Sequence, residues 1–305
     1  GMGNLQTGFP RVCVQIRNQA SSVLAQFVAS LPPEPALIEL YQSWKLVYQS
    51  LCQRHALLSL EEDDELEIEF GGVTNVSQVS FQELSLQLHN QLNHWLTSES
   101  FLQLEQQLRS HLDASQEIRV ILETPDEILR RLPWQNWQFF QDYPLAELAL
   151  SQPEYHIPQS SQLKPAKTAV RILAVFGNSR GIDLTTERKM LQNLTDAEPQ
   201  FLINPTRQQF ETHLGDSRGW DILFFAGHSQ TQSQTGRIYL NDHPTDNSLT
   251  LEELSTDLKL AIFNGLKLAI FNSCDGLGLA KALEHLHIPT VIVMREPVPN
   301  YVAQE

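Results

Sequence analysis

Two residues of this 305-residue chain, His228 and Cys274, have the types and the placement that suit covalent chemistry. Each closes a run that reads as a buried strand: DILFFAGH ends on the imidazole, and LKLAIFNSC ends on the thiol. Both are followed by residues that suit a sharp turn, Ser229 in one case and Asp275, Gly276 and Gly278 in the other. In open α/β sheets, reacting groups gather at the carboxyl ends of strands. If the two strands are neighbours, the imidazole and the thiol face one crevice. A histidine there lowers the thiol's pKa or takes its proton, which gives a thiolate nucleophile. The backbone N–H groups of Gly227 and Cys274 are then candidates to stabilise an oxyanion.

The elements that would position this pair are legible in the second half. Near-continuous apolar runs at 170–176, 222–226, 266–271 and 291–294 read as buried strands, with a shorter one at 201–203. Between them, Asp183 or Thr185 caps a helix through Leu194, Thr206 opens a second through Leu214, and Gly278 to His285 reads as another. Thr250 and Glu253 form a capping box for a helix ending at Gly265. Strands of this kind separated by helices predict a mostly parallel, doubly wound sheet. The heptapeptide LKLAIFN occurs at 258–264 and again at 266–272. Its flanks assign the first copy to a helix and the second, after a glycine stop, to a strand, although periodicity cannot separate such short runs. The polar segment from Ser229 to Thr235 has no apolar anchor and reads as a mobile loop. Ile238 to Leu240 reads as a small hairpin element. Trp220, Met190 and Met294 read as core residues, and His243 as a surface histidine.

A boundary shows near residues 151–166, where Pro153, Pro158 and Pro165 stand among Ser and Gln. Before it lies an N-terminal α/β module, 10–160, and after it a module from 166 to 305. In the first, Val12 to Ile16 reads as a strand, Ala20 to Leu31 as helical, and Leu37 to Leu51 as a helix. Leu66 to Phe70 is strand-like, Phe81 to Leu112 is amphipathic helix, and Ile118 to Leu122 is a short strand. The aromatic stretch from Arg130 to Phe140 reads as core, since aromatic clusters bury large areas. Cys13 and Cys52 read as small buried apolar groups.

Composition narrows the function classes. The formal charge is −15, of which residues 1–165 carry −11 and residues 166–305 carry −4. Seven acids in the nine positions from Glu61 to Glu69 account for most of the first figure. That field repels a phosphate backbone, so nucleic acid is not an expected partner. No apolar run approaches the about 20 residues a spanning helix needs, and no membrane contact is expected from this segment. Three scattered cysteines without metal spacing fit free thiols in a reducing, cytoplasmic setting. No metal or cofactor is implied.

The runs WDILFFAGHS, GRIYLND, LTLEEL, GLKLAIFNSCDGLGLAKAL and IPTVIVMREPVP together resemble the CHAT domain, a caspase-like domain related to separases, gingipains and caspases. The likeness is strong across about 168–300 and extends more weakly to LRRLPWQNWQFF. It implies a caspase-haemoglobinase fold, with His228 in the family's catalytic histidine position and Cys274 as nucleophile. It also implies a cysteine endopeptidase acting on a protein or peptide substrate, often joined to a regulatory partner or fused sensor region. Two positions depart from relatives. Ser229 stands where many have glycine, which bears on the oxyanion loop. Asn272 stands where metacaspases carry an acid that binds a basic substrate side chain, so that preference does not transfer directly. Asp275, beside the nucleophile, supplies charge in its place or caps the following helix. The separase arrangement further implies that the first module is a pseudo-caspase half without a dyad. Because the resembling domains continue with another helix and strand, the likeness also implies that the chain stops short of the domain's end.

Other readings compete. A non-catalytic CHAT module serving regulation or protein interaction is the main alternative. A serine-hydrolase reading of Gly227-His228-Ser229-Gln230 lacks the second glycine of the nucleophile elbow, since position 231 is Thr. A dinucleotide reading of Gly276-Leu277-Gly278 meets Lys281 at the third glycine position.

Overall fold

The computed structural model describes residues 3–58, 78–151, 169–180, 183–232 and 235–273, with 279, 283, 286 and 288–295. The acidic run at 61–69 and the strand read at 66–70 lie outside them, as do Cys274, Asp275 and most of the helix read at 278–285. The chain divides into two units, Gly1–Glu154 and Tyr155–Glu305.

The first unit opens on a hairpin of β1 (Phe9–Arg17) and β2 (Val23–Leu31), paired antiparallel. The helix expected over 20–31 is therefore a strand. Ala25, Phe27, Ala29 and Leu31 turn inward while Leu24, Gln26 and Val28 stay exposed, a period of two that only a strand satisfies. Ser21 takes φ 61°, and the Asn18 side chain accepts from the Ser22 N–H, which closes the turn. Cys13 is exposed opposite Val28 on the outer face of this hairpin, so it is not the buried group expected; Cys52 is half-buried. Helices α1 (Pro35–Leu58), α2 (Gln78–Leu96) and α3 (Glu99–Arg109) follow. Next come β3 (Ile118–Glu123), α4 (Glu127–Arg131), a 3-10 turn at Trp134–Asn136, α5 (Gln138–Asp142) and β4 (Ala146–Ser151). Strands β3 and β4 pair in parallel. The aromatic stretch is core, as its composition implied: Leu132, Trp134, Trp137 and Phe139 pack with Leu37, Leu92 and Trp95.

In the second unit β5 (Val170–Phe176), α6 (Thr185–Gln192), β6 (Ala197–Ile203), α7 (Arg207–Leu214) and β7 (Ile222–Ala226) alternate. Three short strands follow, β8 (Ser229–Gln232), β9 (Thr235–Tyr239) and β10 (Ser248–Thr250). Helix α8 (Ser255–Phe263), β11 (Leu268–Asn272) and β12 (Thr290–Val293) complete the described order. Five strands form one sheet in the order β12-β11-β7-β5-β6, every pair parallel. Alternate residues of β5 feed two cores. Leu173 and Val175 meet Phe210, Leu214, Leu258 and Ala261 of α7 and α8, whereas Ile172, Ala174 and Phe176 meet Leu184 and Leu191 at α6.

The repeated heptapeptide divides as its flanks dictate, with the first copy in α8 and the second in β11. Gly265, at φ 117°, ends the helix and lets the chain turn back toward the sheet. The segment expected as a mobile loop after His228 is β8, paired antiparallel with β9 from Ser229↔Ile238 to Gln232↔Thr235. The ladder of backbone hydrogen bonds holds what lacks an apolar anchor. Trp220 is buried as expected, but Met190 stands 61% exposed because it lies on the outer side of α6.

Candidate functional site

The site begins where β7 and β11 end. The two strands are neighbours, with Asn272 opposite Ala226, so the runs that carry His228 and Cys274 leave the sheet side by side. Phe225 and Phe271, with ring centroids 5.9 Å apart, pack beneath this end. Gly227 follows at φ 149°, a conformation that L side chains rarely adopt, and a Cβ there would meet the Asn178 carbonyl oxygen at 3.0 Å. The glycine lets the chain break from the sheet while the post-β5 loop passes over it.

That loop, Gly177 to Arg180, grips the strand end. Gly177 N–H donates to the Ala226 carbonyl (2.8 Å), His228 N–H to Asn178 O (2.9 Å), and Asn178 N–H to Tyr239 O (2.9 Å). Tyr239 N–H returns to His228 O (3.0 Å). The His228 main chain is thus held on both sides, by the loop and by β9. Its half-buried ring places Nε2 3.0 Å from the Arg180 carbonyl oxygen. A carbonyl oxygen only accepts, so Nε2 is the donor, and whenever the ring is neutral the lone pair is on Nδ1. The Arg180 N–H donates in turn to Asn178 Oδ1 (3.0 Å), which fixes the turn that presents the carbonyl. No sequence pattern could have marked Arg180, because the acting atom is main chain.

The remaining candidates fall unevenly. Gly227 is buried, and its N–H donates to Asn272 O over a long 3.4 Å. Ser229 is half-buried and starts β8, so no helix follows it as a nucleophile elbow requires. Asn272 closes β11 with its amide Nδ2 donating to Glu187 Oε1 at 3.3 Å. Cys274 and Asp275 lie outside the described residues. Glu187, in the first turn of α6, is a site residue that the sequence reading missed; it looks like an ordinary solvated acid, yet it is 8% exposed. Among the described residues, no cluster of three His, Cys, Asp or Glu could hold a metal ion, and no helix is long and apolar enough to cross a membrane.

A parallel sheet with a histidine presented at one central strand end, beside a strand running to a cysteine, defines a caspase-like, peptidase-related α/β fold. The sequence model of the CHAT domain matches residues 86–305, so the chain belongs to the CHAT domain family. The match begins inside α2, well upstream of residue 166, and takes in most of the aromatic core of the first unit. A search of curated proteins found no match.

Proposed function

We propose that this chain is a cysteine endopeptidase with His228 as general base and Cys274 as nucleophile. The observation that carries the reading is the His228 ring, anchored through Nε2–H to the Arg180 carbonyl so that the Nδ1 lone pair is free to take a proton. The carbonyl plays the orienting part of a third catalytic group: it fixes the tautomer and the orientation of the ring. His228 accepts the Cys274 proton, the thiolate attacks the peptide carbonyl carbon, and a C–S bond forms as the carbonyl π pair moves to oxygen. The backbone N–H groups of Gly227 and Cys274 receive that oxyanion. The first is held only by a long 3.4 Å bond, which a charged acceptor outcompetes. Collapse breaks the C–N bond, with the amine taking the proton from His228. Water, deprotonated by the same ring, then hydrolyses the thioester to the acid and regenerates the thiol. The substrate is protein or peptide, the setting is cytoplasmic, and regulation comes from a partner or a joined sensor region.

Labelling with a peptide acyloxymethyl ketone, mapped by mass spectrometry, tests the reading. The wild type should be alkylated at Cys274, Cys274→Ala should not react, and His228→Ala should react at least tenfold more slowly. Equal labelling of Cys13 or Cys52 would remove the specially activated nucleophile and leave the non-catalytic interaction module as the better reading.

A further inference from the structure

The sheet β8-β9-β10 continues the chain directly from His228, and its two faces differ. Gly236, Ile238 and Leu249 turn inward, and the last two join the core of the second unit. Strand alternation therefore turns Arg237 and Tyr239 of β9, with Ser248 and Thr250 of β10, to the outer face. Gln230 of β8 stands opposite Arg237 and shares that face. His228 lies two residues before Gln230, and its carbonyl accepts from Tyr239 N–H, so the same alternation sets position 228 on this face next to Tyr239. Tyr239 O–H donates to Gln230 Oε1 (3.0 Å), a bridge between the two strands. Beyond the bridge, half-buried Arg237 donates through Nη1 to the Ser248 hydroxyl (2.9 Å).

Among the described residues no carboxylate pairs with Arg237. Other arginines of this unit are neutralised: Arg171 pairs with Asp216 (2.9 Å) and Arg207 with Glu253 (2.6 Å). Glu253 also bonds Thr250, the residue opposite Arg237, but its charge is already held by Arg207. A chain of formal charge −15 repels acidic partners at long range, so an acid is held only where a cation is left uncompensated at contact. In the endopeptidase reading the leaving amine takes its proton from His228, so the residues after the cleaved bond depart past the imidazole. An extended peptide advances about 3.4 Å per residue, and Arg237 is level with the second residue beyond His228. A guanidinium there pairs with a carboxylate through two parallel N–H···O bonds.

We propose that Arg237, reached across the Tyr239–Gln230 bridge, recognises an acidic side chain, aspartate or glutamate, one or two residues after the cleaved bond. This rests on the endopeptidase reading and assigns the leaving-group side of its substrate. In sequence Arg237 is an ordinary strand cation; only the β8–β9 register brings it level with Gln230.

Two measurements test it. Digestion of a peptide library, with cleavage sites mapped by mass spectrometry, should show Asp and Glu enriched about threefold or more at the first two positions after the cleaved bond. Arg237→Gln should abolish that enrichment. Arg237→Lys, which keeps the charge but loses the planar fork, should reduce it. Independently of any chemistry, the Cys274→Ala protein should bind Ala-Asp-Gly-Ser, carrying a C-terminal fluorophore, about tenfold more tightly than the matching Ala-Asn-Gly-Ser. Fluorescence anisotropy reads this, and adding Arg237→Gln should remove the difference. Circular dichroism verifies folding, and if one substitution unfolds the protein the other decides. Cleavage without the enrichment, or an enrichment unchanged in the variant that folds, overturns the proposal. So does equal binding of the two peptides, or a difference that survives the substitution. If no peptide is cleaved but the Asp peptide binds selectively through Arg237, the acid-recognition site stands and the endopeptidase reading falls.

Discussion

Both units carry polar groups just past the ends of parallel strands, yet they treat those groups in opposite ways. In the first unit β3 runs into Thr124 and Asp126. The Thr124 hydroxyl accepts from the Asp126 N–H, and Asp126 Oδ1 accepts from Ile128 and Leu129 N–H at 2.9 Å each, capping α4. Arg109 is similarly consumed: it pairs with Glu105 (2.6 Å) and Asp142 (2.8 Å) while lying over the rings of Phe139 and Tyr143. In the second unit β7 leads to the His228 imidazole, and at the end of β11 Asn272 Oδ1 and Ser273 Oγ have no hydrogen-bond partner among the described residues, as is true of Glu187 Oε2 on α6. Buried polar groups are normally satisfied, and exceptions call for an explanation. The difference teaches that the first unit uses the polar groups past β3 to hold the fold, whereas the second leaves buried acceptors past β11 that the described residues do not satisfy.

The largest effects should split along that line. Trp134 is buried, donates its indole N–H to Leu129 O at 2.6 Å, and sits beside Trp95. Trp134→Ala should cost about 3–5 kcal/mol of stability, read as a fall in the urea midpoint of the first unit. His228→Ala touches no core cluster and should leave stability within about 0.5 kcal/mol. It should slow peptide-probe labelling of Cys274 by about 100-fold or more. A labelling defect in His228→Ala that tracked lost stability would erase the distinction between the units.

Gly227→Ala probes the hinge between holding and reacting. At φ 149°, with the Asn178 carbonyl 3.0 Å from the new methyl, the substitution should cost about 1–3 kcal/mol. By displacing the His228 main chain it should also reduce labelling at least tenfold. Retained labelling would mean that the imidazole does not depend on the break in the strand.

Much of the second unit was legible in the sequence. Near-continuous apolar runs have few fates other than buried strands, and the glycine at 265 separated two identical heptapeptides into helix and strand. Even the Thr250–Glu253 box is present as reciprocal hydrogen bonds, although α8 itself begins at Ser255. The failures share a cause, which is that a partner distant in sequence decided the outcome. Residues 23–31 read as helix until β1 is there to pair with them. Residues 229–232 read as loop until β9 supplies their hydrogen bonds. AELALS at 146–151 had no reading at all, because its strand character depends on β3. In the site, His228 was visible as a strand-end side chain. Arg180 and Glu187 were not, since one acts through its main chain and the other through a helix crossing above the sheet.

A smaller effect should appear in acid. Asp216 is held at a pKa of about 2, first by the Arg218 backbone N–H and, against the cost of burial, by the side chains of Arg171 and Arg218. Arg171 lies over the Trp220 ring at 4.1 Å, so the cluster anchors the start of the central strands. A folded pKa below the ordinary 3.8 adds stability that is complete above that value and is lost as pH falls toward 2. Between pH 5 and 2.5 the wild type should lose on the order of 1 kcal/mol through this group after solvent screening. Asp216→Asn should already be weaker at neutral pH and change less across that window, as read by urea midpoints. An unaltered pH slope would place the acid sensitivity elsewhere.

The smallest effects should be shared equally by the units, because both cap helices by the same chemistry. Thr206 Oγ1 accepts from Gln209 N–H (3.2 Å) and Gln209 Oε1 accepts from Thr206 N–H (2.9 Å), a reciprocal box at the start of α7. Asp126 does the corresponding work for α4. Thr206→Ala and Asp126→Ala should each cost about 1 kcal/mol, and neither should slow labelling of Cys274. The Thr206 cap is the sharper case, because α7 buries Phe210 and Leu214 against the same sheet whose far end presents His228. If loosening it slowed labelling as much as Gly227→Ala, the strand end would be only as firm as the helices behind it. If it does not, the imidazole owes its placement to the Gly177–Arg180 loop and to β9, and the holding and reacting residues of the second unit are separable, as the contrast with the first unit requires.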